Sequence, residues 1–232
     1  MMSSKNGIIL LSGGLDCVCA LACLKDEIGL ALTFNYGQES FENEKNAAQN
    51  ISKFYGIEHK TIELPWLKDL AKMQILSLTE DDLTDETLMK QTAQKVWIPN
   101  RNAVFINVAA AIADSKDREY NKIVIGVNKE EAATFSDNSA KFIDAINESL
   151  KYSTQVDVRV VAPLINLEKK DIIKLAVEKG APMEYIYSCY HAGTMQCGEC
   201  ESCLRLKRAL KSLDGDLAKK LYKTYFGELN EL

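Results

Sequence analysis

The stretch Ile8-Ile9-Leu10-Leu11-Ser12-Gly13-Gly14-Leu15-Asp16-Cys17-Val18 decides how this chain is read. A short apolar run ends in Ser-Gly-Gly, and from Leu15 to Lys25 nearly every helical face is apolar. That pattern is a buried strand, a tight loop and a largely buried helix. A helix start exposes unpaired N–H groups and a partial positive charge, and phosphate is drawn to both. Glycines let the backbone bend and let an anion approach those N–H groups, while Ser12 adds a hydroxyl donor. Asp16 would repel bare phosphate, so three roles stay open to it: helix cap, water ligand, or contact to magnesium carried by a nucleotide. An ordinary capped glycine turn is the plainer alternative. The position favours nucleotide binding, because ligands bind where the strands of parallel α/β sheets end.

Working outward, Gly29–Tyr36 reads as a second strand, Glu39–Tyr55 as a helix ended by Gly56, and His59–Leu64 as a third strand. Ala-rich Asn102–Asp114 is helical, Ile123–Val127 a strand, Asn138–Tyr152 a helix and Val156–Val161 a strand. Lys169–Lys179 is a helix stopped by Gly180 and Pro182, and Asp216–Phe226 is a last helix with Leu217, Leu221 and Tyr225 on one stripe. The alternation predicts an α/β fold with a doubly wound, five-stranded parallel sheet. Pro65–Lys95 breaks the rhythm with an amphipathic stretch (Trp66–Leu76) and an acidic one (Glu80–Glu86), and reads as an insert or lid. Residues 1–185 are expected to form the α/β domain, with 186–232 as an element and helix packed on it.

Bulk properties bound the function. At 232 residues and 47% hydrophobic, the chain can bury a real core without disulfides. A net charge of -5 argues against a protein whose main partner is nucleic acid. No apolar run nears the roughly 18 residues of a membrane helix, and the start does not read as a signal peptide, so a cytoplasmic protein is expected.

Of 7 cysteines, Cys17, Cys19 and Cys23 lie on the first helix and read as small hydrophobes. The other four, Cys189, Cys197, Cys200 and Cys203, have the spacing C-x7-C-x2-C-x2-C. Two cysteines two residues apart can grip one ion from a tight turn, Gly198 eases that turn, and Cys189 can close a tetrahedron. Four thiolates suit structural zinc; an iron–sulfur cluster is the chemical rival. His191 is left as a bystander, because four thiolates complete the shell.

The Ser12–Cys17 loop lacks both the Walker and the GxGxxG patterns, and it resembles the SGGxDS loop of the ATP pyrophosphatase (PP-loop) superfamily. Cys17 stands where that loop usually ends in Ser. The segment SCYHAGTMQCGECESCLRLKRAL, Ser188–Leu210, is similar to the zinc element of the 7-cyano-7-deazaguanine synthase family. Further matches are Pro99-Asn100-Arg101-Asn102 to that family's PGRN turn, Gly126 to Asp137 to its GxNxxDxxxYPD, and Pro163-Leu164 with Lys169 to its PL…K. Asn100 replaces Gly, which suggests a left-handed backbone there. Glu131 replaces Asp, Phe135 replaces Tyr, Ser136 replaces Pro, and Asn138-Ser139 replaces the usual Cys-Arg.

The resemblance implies an adenine nucleotide alpha hydrolase-like, Rossmann-like fold and a ligase of the queuosine pathway. It implies ATP with Mg²⁺ as co-substrate, structural Zn²⁺ on the four cysteines, and Leu11 to Val18 around the ATP phosphates (Leu11, Ser12, Gly13, Gly14, Leu15, Asp16, Cys17 and Val18). Asp16, Arg101 and Lys169 are the expected catalytic residues; Arg101, Asn102, Glu131 and Asp137 are expected at the substrate, 7-carboxy-7-deazaguanine, which reacts with ammonia. A homodimer is expected, and nucleic acid is not an expected partner. Capping roles for Arg101, Asn102 and Asp137, and a solvated Lys169, are the bland alternatives. A tRNA-modifying ATP pyrophosphatase, lysidine- or thiouridine-forming, is the competing function, and a non-catalytic nucleotide-binding module the competing class.

Overall fold

The computed structural model describes residues 5–70, 73–115 and 120–227. The elements run β1 (Gly7–Leu10), α1 (Leu15–Leu24), β2 (Ile28–Asn35), α2 (Phe41–Tyr55), β3 (Glu58–Glu63), α3 (Glu86–Val96) and α4 (Arg101–Ala113). They continue with β4 (Lys122–Val124), α5 (Lys129–Ala132), α6 (Ala140–Ser153), β5 (Arg159–Val161), α7 (Lys169–Glu178), α8 (Glu201–Leu210) and α9 (Gly215–Phe226). The five strands form one parallel sheet in the order β3-β2-β1-β4-β5. Chain order reverses beside β1, so the loop after β1 lies at the switch point where such sheets bind ligands.

Alternation along the strands sorts the core into two layers. Ile9 and Ala31 face α1, α2, α7, α8 and α9 through Val18, Leu21, Ile51, Ile172, Leu206 and Tyr222. Ile8, Leu30, Leu32 and Phe34 face α4 and α6 through Ile106, Ala110, Ile146 and Leu150. Both sheet faces are therefore covered, as a parallel sheet requires. The C-terminal helices α8 and α9 share the first layer with α1, so both pack into the same core.

Several expectations change. The Pro65–Lys95 insert carries more regular structure than an amphipathic stretch and an acidic one imply. It holds short 3-10 turns at Pro65–Leu70 and Asp81–Thr84 and then α3; Ala71 and Lys72 lie outside the described residues. Asp85 starts α3 by accepting from the N–H groups of Thr87 and Leu88. β5 begins at Arg159 rather than Val156, because the Thr154–Val158 segment is held by turn bonds and by Asp114 Oδ1, which accepts from Gln155 and Val156 N–H. Helix α8 was not foreseen.

Candidate active site

The C-terminal ends of β1, β2 and β4 open on a cleft of ≈ 270 Å³. One wall is the loop Ser12–Cys17, a second carries Arg101, Asn102, Glu131 and Lys169, and a third is Tyr187–Tyr190 from the cysteine segment.

The first wall is shaped by contacts only glycine can make. Gly13 has φ +83, and a side chain there would meet Ala47 Cβ at 2.5 Å. Gly126, just after β4, lies so close to α1 that a Cβ would sit 2.4 Å from Cys17 N. Gly14 is the N-cap of α1 and supplies no side-chain cap for the first-turn N–H groups, and Gly14, Leu15, Asp16 and Cys17 all line the cleft. The Cys17 thiol donates to Gly14 O at 3.1 Å, with Ser12 Oγ 3.4 Å off; burial pushes that thiol up. The replacement of Ser by Cys therefore leaves the backbone donors intact. Leu11, Leu15 and Val18 are buried behind the loop.

The second wall is a buried polar knot. Asp16 Oδ2 accepts from Lys169 Nζ at 2.5 Å and from Asn128 Nδ2 at 2.9 Å. Lys169 Nζ also lies 3.3 Å from Glu131 Oε1, and its own backbone N–H donates to Glu130 Oε1 at 2.8 Å. Lys169 is 6% exposed, which rules out the solvated-charge alternative. Burial pushes Asp16 up to about 6, against the pull of Lys169. For Lys169, burial works against the charge, but Asp16 and Glu131 outweigh it and hold the ammonium above its ordinary range. Burial likewise opposes charge on Glu131, and Lys169 with Arg205 holds it below the usual carboxylate range. Asp16 is not a helix cap, and its Oδ1 is buried with no hydrogen-bond partner.

Arg101 is the first residue of α4, after an Asn100 N-cap at φ 59, the left-handed backbone the sequence suggested. Its guanidinium lies 5.9 Å from the Tyr36 ring centroid, and burial holds the nearby Asp137 up against the pull of Arg101. Asp137 does not cap α6. That helix starts two residues later than expected and is capped by Ser139, whose Oγ accepts from Phe142 N–H. Asn102 Nδ2 donates to Asn138 Oδ1 at 2.8 Å, and Asn138 Nδ2 lies 3.5 Å from Glu131 Oε2. Sequence reasoning missed Asn128 and Asn138, whose roles depend on partners distant in the chain. It also missed Glu44 in α2, which faces the cleft and accepts from Ser40 Oγ at 2.6 Å and Gln38 Nε2 at 3.1 Å. Burial raises the pKa of Glu44.

Behind the third wall, the ligand atoms of Cys189, Cys197, Cys200 and Cys203 all lie within 4.8 Å of one another. A tetrahedron with metal–sulfur bonds of about 2.3 Å has edges of about 3.8 Å, so the four sulfurs can hold one metal ion. Backbone N–H groups of Cys197 and Cys200 donate to Cys189 Sγ and Cys197 Sγ, as suits thiolates. His191 instead places Nδ1 3.3 Å from Glu39 Oε2. An ion-pair chain ties α8 back to the knot, since Arg205 contacts Glu201 at 2.9 Å and Glu130 at 3.0 Å.

The family description "Queuosine biosynthesis protein QueC" matches residues 6–214. A 7-cyano-7-deazaguanine synthase from Carboxydothermus hydrogenoformans is 47% identical over 212 residues, 88% of this chain and 98% of that one. Synthases of the same name are 43% identical in Bdellovibrio bacteriovorus (96% of this chain, 100% of that one) and 41% identical in Methanosarcina mazei (90% and 94%). With the match spanning the Ser12–Cys17 loop, the polar knot and the four cysteines, the chain belongs to the QueC family of queuosine biosynthesis proteins.

Proposed function

We propose that this chain is a 7-cyano-7-deazaguanine synthase, converting 7-carboxy-7-deazaguanine, ammonia and ATP to the nitrile. The observation that carries the reading is the meeting, at one cleft, of a helix start whose N-cap is a glycine, a buried lysine–carboxylate knot and the cysteine segment. The substrate carboxylate attacks the α-phosphorus of ATP, and pyrophosphate leaves. Ammonia attacks the acyl carbon and AMP leaves, giving the amide. The amide oxygen then attacks the α-phosphorus of a second ATP; pyrophosphate leaves again. Loss of AMP and of both protons from the nitrogen leaves the carbon–nitrogen triple bond.

Such a sequence needs positioning and charge stabilisation rather than a protein nucleophile. The N–H groups at the start of α1 take the phosphate oxygens, with Ser12 as an added donor. Lys169 supplies positive charge at the leaving pyrophosphate, and Asp16 with Glu131 aims its ammonium. Arg101 stabilises charge on the reacting carboxylate from the opposite wall. Glu131, Asp137 and Asn102 bound the place of the deazaguanine, and Glu44 adds an acceptor suited to the adjacent N–H groups of a guanine-like edge. Asp16 Oδ1, buried and unpartnered, is the oxygen left for magnesium, which neutralises phosphate charge when bound.

Four thiolates at tetrahedral spacing favour zinc in the cysteine site, which a closed shell makes structural. No helix of the described residues is long and apolar enough to cross a membrane. Our reading has the enzyme working as a cytoplasmic homodimer on ammonia drawn from solution. The test is mass spectrometry of a reaction with 7-carboxy-7-deazaguanine, ATP, magnesium and ammonium. The nitrile with AMP and pyrophosphate is expected; an amide that never advances, or no turnover by metal-loaded protein, would refute the assignment.

A further inference from the structure

The cysteine segment touches the phosphate loop through two consecutive residues. Tyr187 N–H donates to Gly13 O at 3.0 Å, and Ser188 Oγ accepts from Leu15 N–H at 3.4 Å. That Leu15 N–H belongs to the first turn of α1, one of the donors an anion would use. Ser188 Oγ also lies 3.7 Å from where a Cβ on Gly14 would be, so the hydroxyl overlooks the bend of the loop from the cleft side.

Its position is fixed from the metal site. Cys189 is the next residue, and Ser188 N–H donates to Gln196 Oε1 at 3.1 Å. Gln196 is buried, sits beside Cys197, donates its amide to Ile186 O at 3.2 Å, and is tied to Tyr225 O in α9 through its own N–H at 2.9 Å. Two neighbouring ligand pairs, Ser188-Cys189 and Gln196-Cys197, thus hold the hydroxyl against the phosphate loop. A 3.4 Å contact to a neutral acceptor is weak and readily exchanged. A hydroxyl both accepts and donates, so when a phosphate oxygen takes the Leu15 N–H, Ser188 Oγ–H can turn and donate to the same oxygen.

We propose that Ser188 is an ATP phosphate ligand supplied by the cysteine segment, so that the bound metal holds one wall of the nucleotide site. The inference rests on the ATP-using reading above, and deepens it. It adds a second side-chain donor, across the loop from Ser12.

The experiment is equilibrium dialysis of the metal-loaded protein with magnesium and radiolabelled α,β-methylene ATP, which the enzyme cannot cleave. Ser188→Ala removes one oxygen from a half-buried residue. It is expected to weaken binding about tenfold, as loss of a hydrogen bond to a charged group does. Metal content, the circular dichroism spectrum and the KM for 7-carboxy-7-deazaguanine stay as in wild type. Gln196→Ala, which frees Ser188 without removing its hydroxyl, is expected to weaken binding less while keeping the metal. Wild-type affinity in Ser188→Ala overturns the proposal, and so does loss of metal or of folded signal, which would assign Ser188 a structural role. If the wild-type protein itself fails to bind the analogue, the ATP-using reading falls first, and the two failures are told apart.

Discussion

Two loops face each other across the cleft, and they keep their shapes by different physics. The Ser12–Cys17 loop is held by close packing: Gly13 against Ala47, and Gly126 against the backbone of Cys17, leave no space for a side chain. The cysteine loop is held by four sulfur atoms within 4.8 Å, and its shape depends on what those sulfurs bind. A loop of the first kind tolerates a change of conditions and not a methyl group. A loop of the second kind tolerates side-chain changes between its ligands and not a chelator.

The largest effect should therefore come from removing the metal. Cys200→Ser, or a strong chelator, should abolish bound metal and speed hydrogen exchange across Tyr187–Cys203, with β1 and α1 still protected. Equal loss of protection in β1 would break the comparison. Next comes Lys169→Ala, which leaves Asp16 and Glu131 facing each other without their cation. Removing one partner of a buried pair costs roughly 3–5 kcal/mol, read as a lowered denaturant midpoint, and turnover should fall about a hundredfold or more. Gly126→Ala should cost about 1–3 kcal/mol by overpacking and weaken ATP binding without altering metal content, which sharpens the contrast with Cys200→Ser. The smallest mutational effect is expected for Cys17→Ser. The hydroxyl can make the same bond to Gly14 O, so stability should change by less than about 0.5 kcal/mol and the KM for ATP by no more than roughly threefold.

Asp16 also gives a pH test. Its folded pKa, about 6, lies above its ordinary value of 3.8, so the folded state holds the proton more tightly than the unfolded chain. Its contribution is thus favourable below about 4, declines as pH rises toward about 6, and is flat above that. Asp16→Asn should remove this slope from a urea-midpoint profile while Cys200→Ser keeps it. An unchanged slope in Asp16→Asn would mean that another group carries it.

The parts legible in the sequence are those whose causes are local. The apolar run at Ile8, the glycines after it and the alternation of strands and helices give the sheet, and cysteine spacing gives the metal site. Replacement of Gly by Asn100 foretold φ 59. What stayed hidden has partners far along the chain. Helix α8 was not foreseen, and its Arg205 is 8% exposed, neutralised by Glu201 and by the distant Glu130. Ser188 meets Leu15 across 173 residues, and Lys169 meets Asp16 across 153. Helix α3 had a usable signal in Asp85, which was absorbed into an acidic run.

The contact between Gly126 and the first turn of α1 bears on synthesis. The phosphate loop leaves the ribosome early, but the backbone that fixes its bend is encoded more than a hundred residues later. At about 5–20 residues per second the nascent N-terminal half waits several seconds or more with a loop that has Ala47 on one side and no Gly126 on the other. On the proposed function, stabilisation by bound ATP is expected only in chains already translated past β4. A mutation that slows the docking of β4 would therefore lower yield without changing the affinity of the protein that survives.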